Sequence, residues 1–202
     1  MSNALFRAPR GPTPLLSPPR DDPDRAQQLG MRLFLASLTV LFGGVGVAFF
    51  AIRSTAPTWP PEGAPAVPES LWLSTALALA VSGAMQWALS AIRAGNARRL
   101  ARGLGVAWIL AAGFCASQVY SGWRFFNAAT FAEHLYGFAF YMLTGVHGLH
   151  VIGGMIALPI VWWRARAGAY GWSVHAPVRN CTSYWHYLAV VWILLMFVLK
   201  LG

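Results

Sequence analysis

Five long apolar runs divide the chain, and its charged residues collect between them. Residues 33–52, 71–92, 103–123, 135–163 and 181–199 contain no Asp, Glu, Lys or Arg. A helix needs about 20 such residues to cross the hydrocarbon core of a bilayer. The pattern predicts an all-α polytopic membrane protein, a bundle of five transmembrane helices. The fourth run would measure about 43 Å at 1.5 Å per residue, so it should tilt or protrude. Pro159 near its end is a site for a kink. The first 30 residues behave differently. They carry Pro9, Pro12, Pro14, Pro18, Pro19 and Pro23 with mixed charge and no signal-peptide core. They read as a disordered cytoplasmic tail, leaving 31–202 as the membrane domain.

Composition supports this division. The chain is 57% hydrophobic and 10% charged, where soluble domains hold about 25% charged residues. Its net charge of +9 does not indicate a nucleic-acid partner. The arginines fall between apolar runs, without the basic-aromatic interleaving of such surfaces. Their distribution sets an orientation instead. The tail holds Arg7, Arg10, Arg20, Arg25 and Arg32. The second connection between spans holds Arg93, Arg98, Arg99 and Arg102, and the fourth holds Arg164, Arg166 and Arg179. The other side has only Arg53, Arg124 and Lys200. Positive charge favours the cytoplasmic side, so the N-terminus is expected inside and the C-terminus outside. Trp59, Trp72, Trp123, Trp162 and Trp163 lie near span ends, as interfacial anchors do. No internal repeat points to a transporter. Cys115 and Cys181 stand in or beside apolar runs without a CxxC pattern and read as packing residues.

The chemistry concentrates in the fourth and fifth runs. His147 and His150 are three residues apart and share one helix face. With His186 on the fifth run, they admit two readings. One is haem ligation by His150 and His186 from separate helices, which would make the chain a small b-type cytochrome. The other is interhelical hydrogen bonding within a tight contact, with Gly145, Gly148, Gly153 and Gly154 permitting close approach and Thr144 bonding back to its own helix. No metal site is expected, since the surroundings lack further thiolates or carboxylates. The acid beside the fourth span is Glu133, next to His134. Gln86, Gln118 and Tyr120 are uncharged, so a proton relay within the chain is not supported.

The residues 140–151, FYMLTGVHGLHV, resemble the signature of cytochrome c oxidase subunit III. YWHYLAVVW at 184–192 is similar to the family's last-span pattern through Trp185, His186 and Trp192. LFLASLTVLFGG at 33–44, STALALAVSGAMQWA at 74–88 and RAGN at 93–96 fit further segments. The resemblance covers all five spans and implies the short, five-helix bacterial form, which lacks the first two helices of longer members. It implies a subunit without haem or copper, those centres being in partner subunits. It would pack on subunit I, near subunit II and a cytochrome c subunit, in the inner membrane. It would bind structural phospholipid and sustain oxygen-reducing, proton-translocating turnover. On this reading Tyr141, Thr144, Gly145, His147, Gly148, His150, Trp185, His186 and Trp192 form a helix-packing motif. Arg93, Arg98 and Arg99 are candidates for lipid phosphate. Three acids usual in the family are replaced, by Leu38, Ser121 and Ala189. Their loss weighs against a proton-supply role and opens the alternative of a nitric-oxide reductase or atypical oxidase.

Overall fold

The computed structural model describes residues 23–62, 69–127, 135–171 and 175–201. It contains helices α1 (Pro23–Thr55), α2 (Ser70–Arg93), α3 (Ala97–Asn127), α4 (Leu135–Arg166) and α5 (Ala176–Leu201), with no strand among the described residues. All five are long and apolar enough to cross a membrane. In hydrocarbon the backbone must satisfy its own hydrogen bonds, and a helix does so within one segment.

The helices outrun the charge-free runs at most ends. Residues 23–30, assigned from sequence to a disordered tail, belong to α1. Pro23 occupies the first helical position, where its missing N–H costs nothing, and Asp24 sits in the positive first turn. A helix that already spans the bilayer extends readily past its apolar limit into polar sequence. The tail before residue 23, with Arg7, Arg10 and Arg20, lies outside the described residues, as do Glu133 and His134. α4 continues through Pro159 to Arg166, 32 residues in all.

Two helix ends need glycine. After α2, Gly95 takes φ 71° while the Gly95 N–H donates to Ile92 O and the Asn96 N–H to Ala91 O, both at 2.9 Å. After α4, Gly168 takes φ 74° and the Ala169 N–H donates to Arg164 O at 3.0 Å. These left-handed caps absorb the last carbonyls. The first of them reduces the α2–α3 connection to three residues, with Arg93, Arg98 and Arg99 exposed around it.

α2 and α3 make the most extensive contact in the bundle. α3 also packs on α4, and α5 packs on α2 and α4. α1 lies to one side against α4 and α5 and is the least buried span. The core forms where α2, α3, α4 and α5 converge, around Met85, Leu104, Leu143, His147, Leu188 and Trp192.

Candidate functional site

His147 is at the centre of this core, 2% exposed. Its ring centroid lies 5.2 Å from Trp192 on α5, 5.9 Å from Phe114 on α3 and 6.2 Å from Phe42 on α1. Trp192 is itself fixed by its indole N–H, which donates to Thr75 Oγ1 on α2 at 3.1 Å. Three helices therefore meet the α4 histidine through aromatic rings, and α2 reaches it indirectly through Trp192. Its Nδ1 is buried without a hydrogen-bond partner among the described residues, and a void of about 10 Å³ adjoins the side chain, lined also by Trp185 and Ala189. A cavity of that size is at the lower limit for one water molecule.

His150, one turn on, has a different environment. Its Nδ1–H donates to Val146 O at 2.7 Å within its own helix, and its ring packs 5.1 Å from Phe42 of α1. The Tyr184 hydroxyl donates to the His150 carbonyl at 2.7 Å. His186 turns instead toward α2. Its Nδ1 accepts from the Ser82 hydroxyl, and its Nε2–H donates to Gln86 Oε1 at 3.1 Å. A neutral ring with the proton on Nε2 satisfies both bonds.

The axial pair considered from sequence is thus not assembled. His150 looks to α1 and its own backbone, while both nitrogens of His186 are engaged by α2. An axial pair must face one ring from opposite sides. The sequence offers no signal for which way either imidazole points around its helix. Among the described residues no group of three or more His, Cys, Asp or Glu side chains is gathered for a metal.

The glycines also separate. A Cβ at Gly154 would lie 3.0 Å from both Trp185 Cζ2 and Tyr184 Cε1, so this residue allows α5 to approach α4. A Cβ at Gly145 or Gly148 would meet nothing within 4 Å among the described residues. Those two face away from the other helices, which corrects the expectation of a close contact there. Gly153 is looser, with the Tyr184 hydroxyl at 3.8 Å. Thr144 donates to Phe140 O at 2.8 Å, as its spacing predicts, and Tyr141 donates across to Gly122 O of α3 at 3.1 Å.

A polar seam between α2 and α3 was not anticipated. Ser121 donates to Ser117 O and accepts from Ser70, both at 2.8 Å, and the hydroxyls of Ser74 and Ser117 share a bond at 2.8 Å. Deeper along the same pair, Gly103 meets Ala88, where an added Cβ would be 2.9 Å from the Ala88 Cβ and 3.0 Å from its Cα. The i, i+4 spacing of Ser70/Ser74 and of Ser117/Ser121 was the available sign, since same-face hydroxyls on two spans can pair. Of the positions where the family often has acids, Leu38 and Ala189 lie in the apolar core at 5% exposure, and Ser121 belongs to this seam.

Five apolar helices converging on a buried histidine–aromatic cluster define a polytopic α-helical membrane protein. The sequence profile of cytochrome c oxidase subunit III matches residues 24–201. The cytochrome c oxidase subunit 3 of Synechocystis sp. is 33% identical over 87% of this chain and 75% of its own length. That of Thermostichus vulcanus is 30% identical over 83% of each. A probable cytochrome c oxidase subunit 3 of Nocardia farcinica is 31% identical over 82% of each. The chain belongs to the cytochrome c oxidase subunit III family.

Proposed function

We propose that the chain is the non-redox subunit III of a haem-copper terminal oxidase in the aerobic respiratory chain of a bacterial cytoplasmic membrane. The carrying observation is the family match over all five helices, joined to a core that uses the signature histidine His147 in packing. Haem and copper then reside in partner subunits. This chain packs on subunit I, close to subunit II and a cytochrome c subunit, and sustains oxygen-reducing, proton-translocating turnover. The arginine-rich end faces the cytoplasm on the strength of its charge. The exposure of Arg93, Arg98 and Arg99 at the α2–α3 turn supports a role for them in holding phospholipid phosphates.

Leu38 and Ala189 carry no titratable group, and Ser121 offers only a hydroxyl. Proton uptake by the complex therefore runs through other residues. Purification through a tag on this chain, with a visible spectrum and mass spectrometry, tests the assignment. A co-purifying polytopic subunit with reducible haem is expected, and a colourless chain isolated under conditions that keep oxidase complexes intact would refute it. The three replaced acids favour one second reading, a nitric-oxide-reducing or atypical core. Oxygen against nitric oxide consumption by the same preparation separates the two.

A further inference from the structure

Gln86 is a carboxamide that the folded chain leaves exposed within a membrane span. It lies seven residues before the end of α2 at Arg93, about 10 Å along a helix of about 36 Å. The hydrocarbon core is about 30 Å thick, so the amide lies inside it. Its carbonyl accepts from His186, but no acceptor among the described residues meets its NH₂ group. Exposed serine and threonine hydroxyls in the spans, by contrast, are satisfied locally. Ser37 donates to Phe34 O, Thr39 to Leu35 O and Ser90 to Trp87 O, each within its own helix. Acyl chains cannot accept the two amide protons, and an unmet polar group there is costly.

The surroundings of Gln86 have the shape of a helix-docking seam. Leu79 and Val190 are 51% and 56% exposed on α2 and α5. Gly83, one turn from Gln86, has open space where a Cβ would be. Toward the other end, Trp72 and Phe197 border a cavity of about 80 Å³ between the same two helices. Small residues beside a polar group are what close helix association in lipid uses. The seam offers hydrogen-bond donors outward, because the Gln86 carbonyl is already engaged. A second copy of this chain would bring the same donors, and a lipid tail would bring nothing polar. The complementary occupant is a helix carrying an acceptor.

We propose that the α2–α5 seam seats a transmembrane helix of another oxidase subunit, one that presents a hydrogen-bond acceptor to Gln86. This deepens the function proposed above and rests on it. The test uses the whole oxidase in its native membrane, with a photo-reactive phenylalanine analogue replacing Leu79 or Val190 in the seam. The same replacement at Leu149 or Ile156 on the exposed side of α4 is the control. Adducts to a haem-bearing or other oxidase subunit from Leu79 and Val190, with lipid adducts from the controls, are expected. Lipid adducts alone from the seam, or adducts to a second copy of this chain, would overturn the proposal even while haem co-purifies. Absence of any co-purifying haem subunit would instead overturn the functional assignment. Gln86→Leu tests the anchor itself. Its retention in the complex through a detergent titration should fall about threefold to tenfold, the value of one interhelical hydrogen bond. Unchanged retention would remove Gln86 from that role.

Discussion

The α2–α3 pair and α1 are both membrane-length helices, yet they are held by different means. α2 and α3 meet backbone to backbone at Gly103 and Ala88 and share a chain of serine hydroxyls. α1 keeps its hydroxyls mostly to itself. Ser37, Ser54 and Thr55 donate only to carbonyls of their own helix, and Thr39 reaches across to the Tyr187 hydroxyl at 3.2 Å. Its hold on the bundle comes mainly from rings, with Phe34 on Tyr184 at 5.9 Å and Phe42 on His150 at 5.1 Å, beside a bond from Asn180 Nδ2 to Gln27 O at 3.4 Å. Lipid tails are as apolar as side chains, so burial alone drives little association between spans. Close packing and hydrogen bonds must supply it. The pair has both, whereas α1 depends on a few interlocking side chains. The contrast predicts a firm hairpin and a more easily detached first helix.

Gly103→Leu should break the firm side most severely. The new Cβ would strike the Ala88 main chain, so the helices must part, at about 3 kcal/mol as a severe overpacking. A large drop in the thermal midpoint of the purified complex is expected, and an unchanged midpoint would show that the contact can yield. Phe42→Ala attacks the loose side. It removes the ring shared by His147, His150 and Tyr187. The cost should be about 2 kcal/mol, below the range for a soluble core because lipid can refill part of the space. Hydrogen exchange should rise along α1 and not along α2 or α3; a uniform rise would refute separate attachment. Ser74→Ala, which deletes half of one serine pair, should cost about 1 kcal/mol, read from the same melting curves. Thr39→Val should cost about 0.6 kcal/mol. It should increase protease access to α1, and no change would mean the Tyr187 bond contributes nothing.

Much of this could be read before any coordinates. The five helices follow from charge-free runs, and the central role of the fourth follows from its signature residues. What escaped depends on rotation about helix axes. In lipid all faces of a span are apolar, so the sequence carries little periodic signal to say which side turns inward. Gly145 and Gly154 sit in one motif, yet only Gly154 meets a neighbour. His150 and His186 could be paired as candidates from separate helices, but not aimed. The end of the tail was misplaced for another reason. Arg32 marks the edge of the charge-free run, not the edge of the helix. The α2–α3 seam was hidden because serine is common in loops and spans alike, and a hydroxyl shows its partner only when the second helix is in place.

The three-residue turn at Gly95 bears on how the chain is made. Contacts close in sequence form quickly, since little chain must be closed to reach them. α2 and α3 can therefore satisfy their seam as soon as both have left the ribosome, before α4 has emerged. α5 must instead find α2 across the whole length of α3 and α4. Synthesis thus delivers a finished hairpin first and the histidine–aromatic core last. In a ribosome-arrested chain long enough for α3 to have just cleared the ribosome, with α4 still enclosed, cysteines at Ala88 and Gly103 should already cross-link. Failure to do so would mean that the hairpin waits for the rest of the molecule.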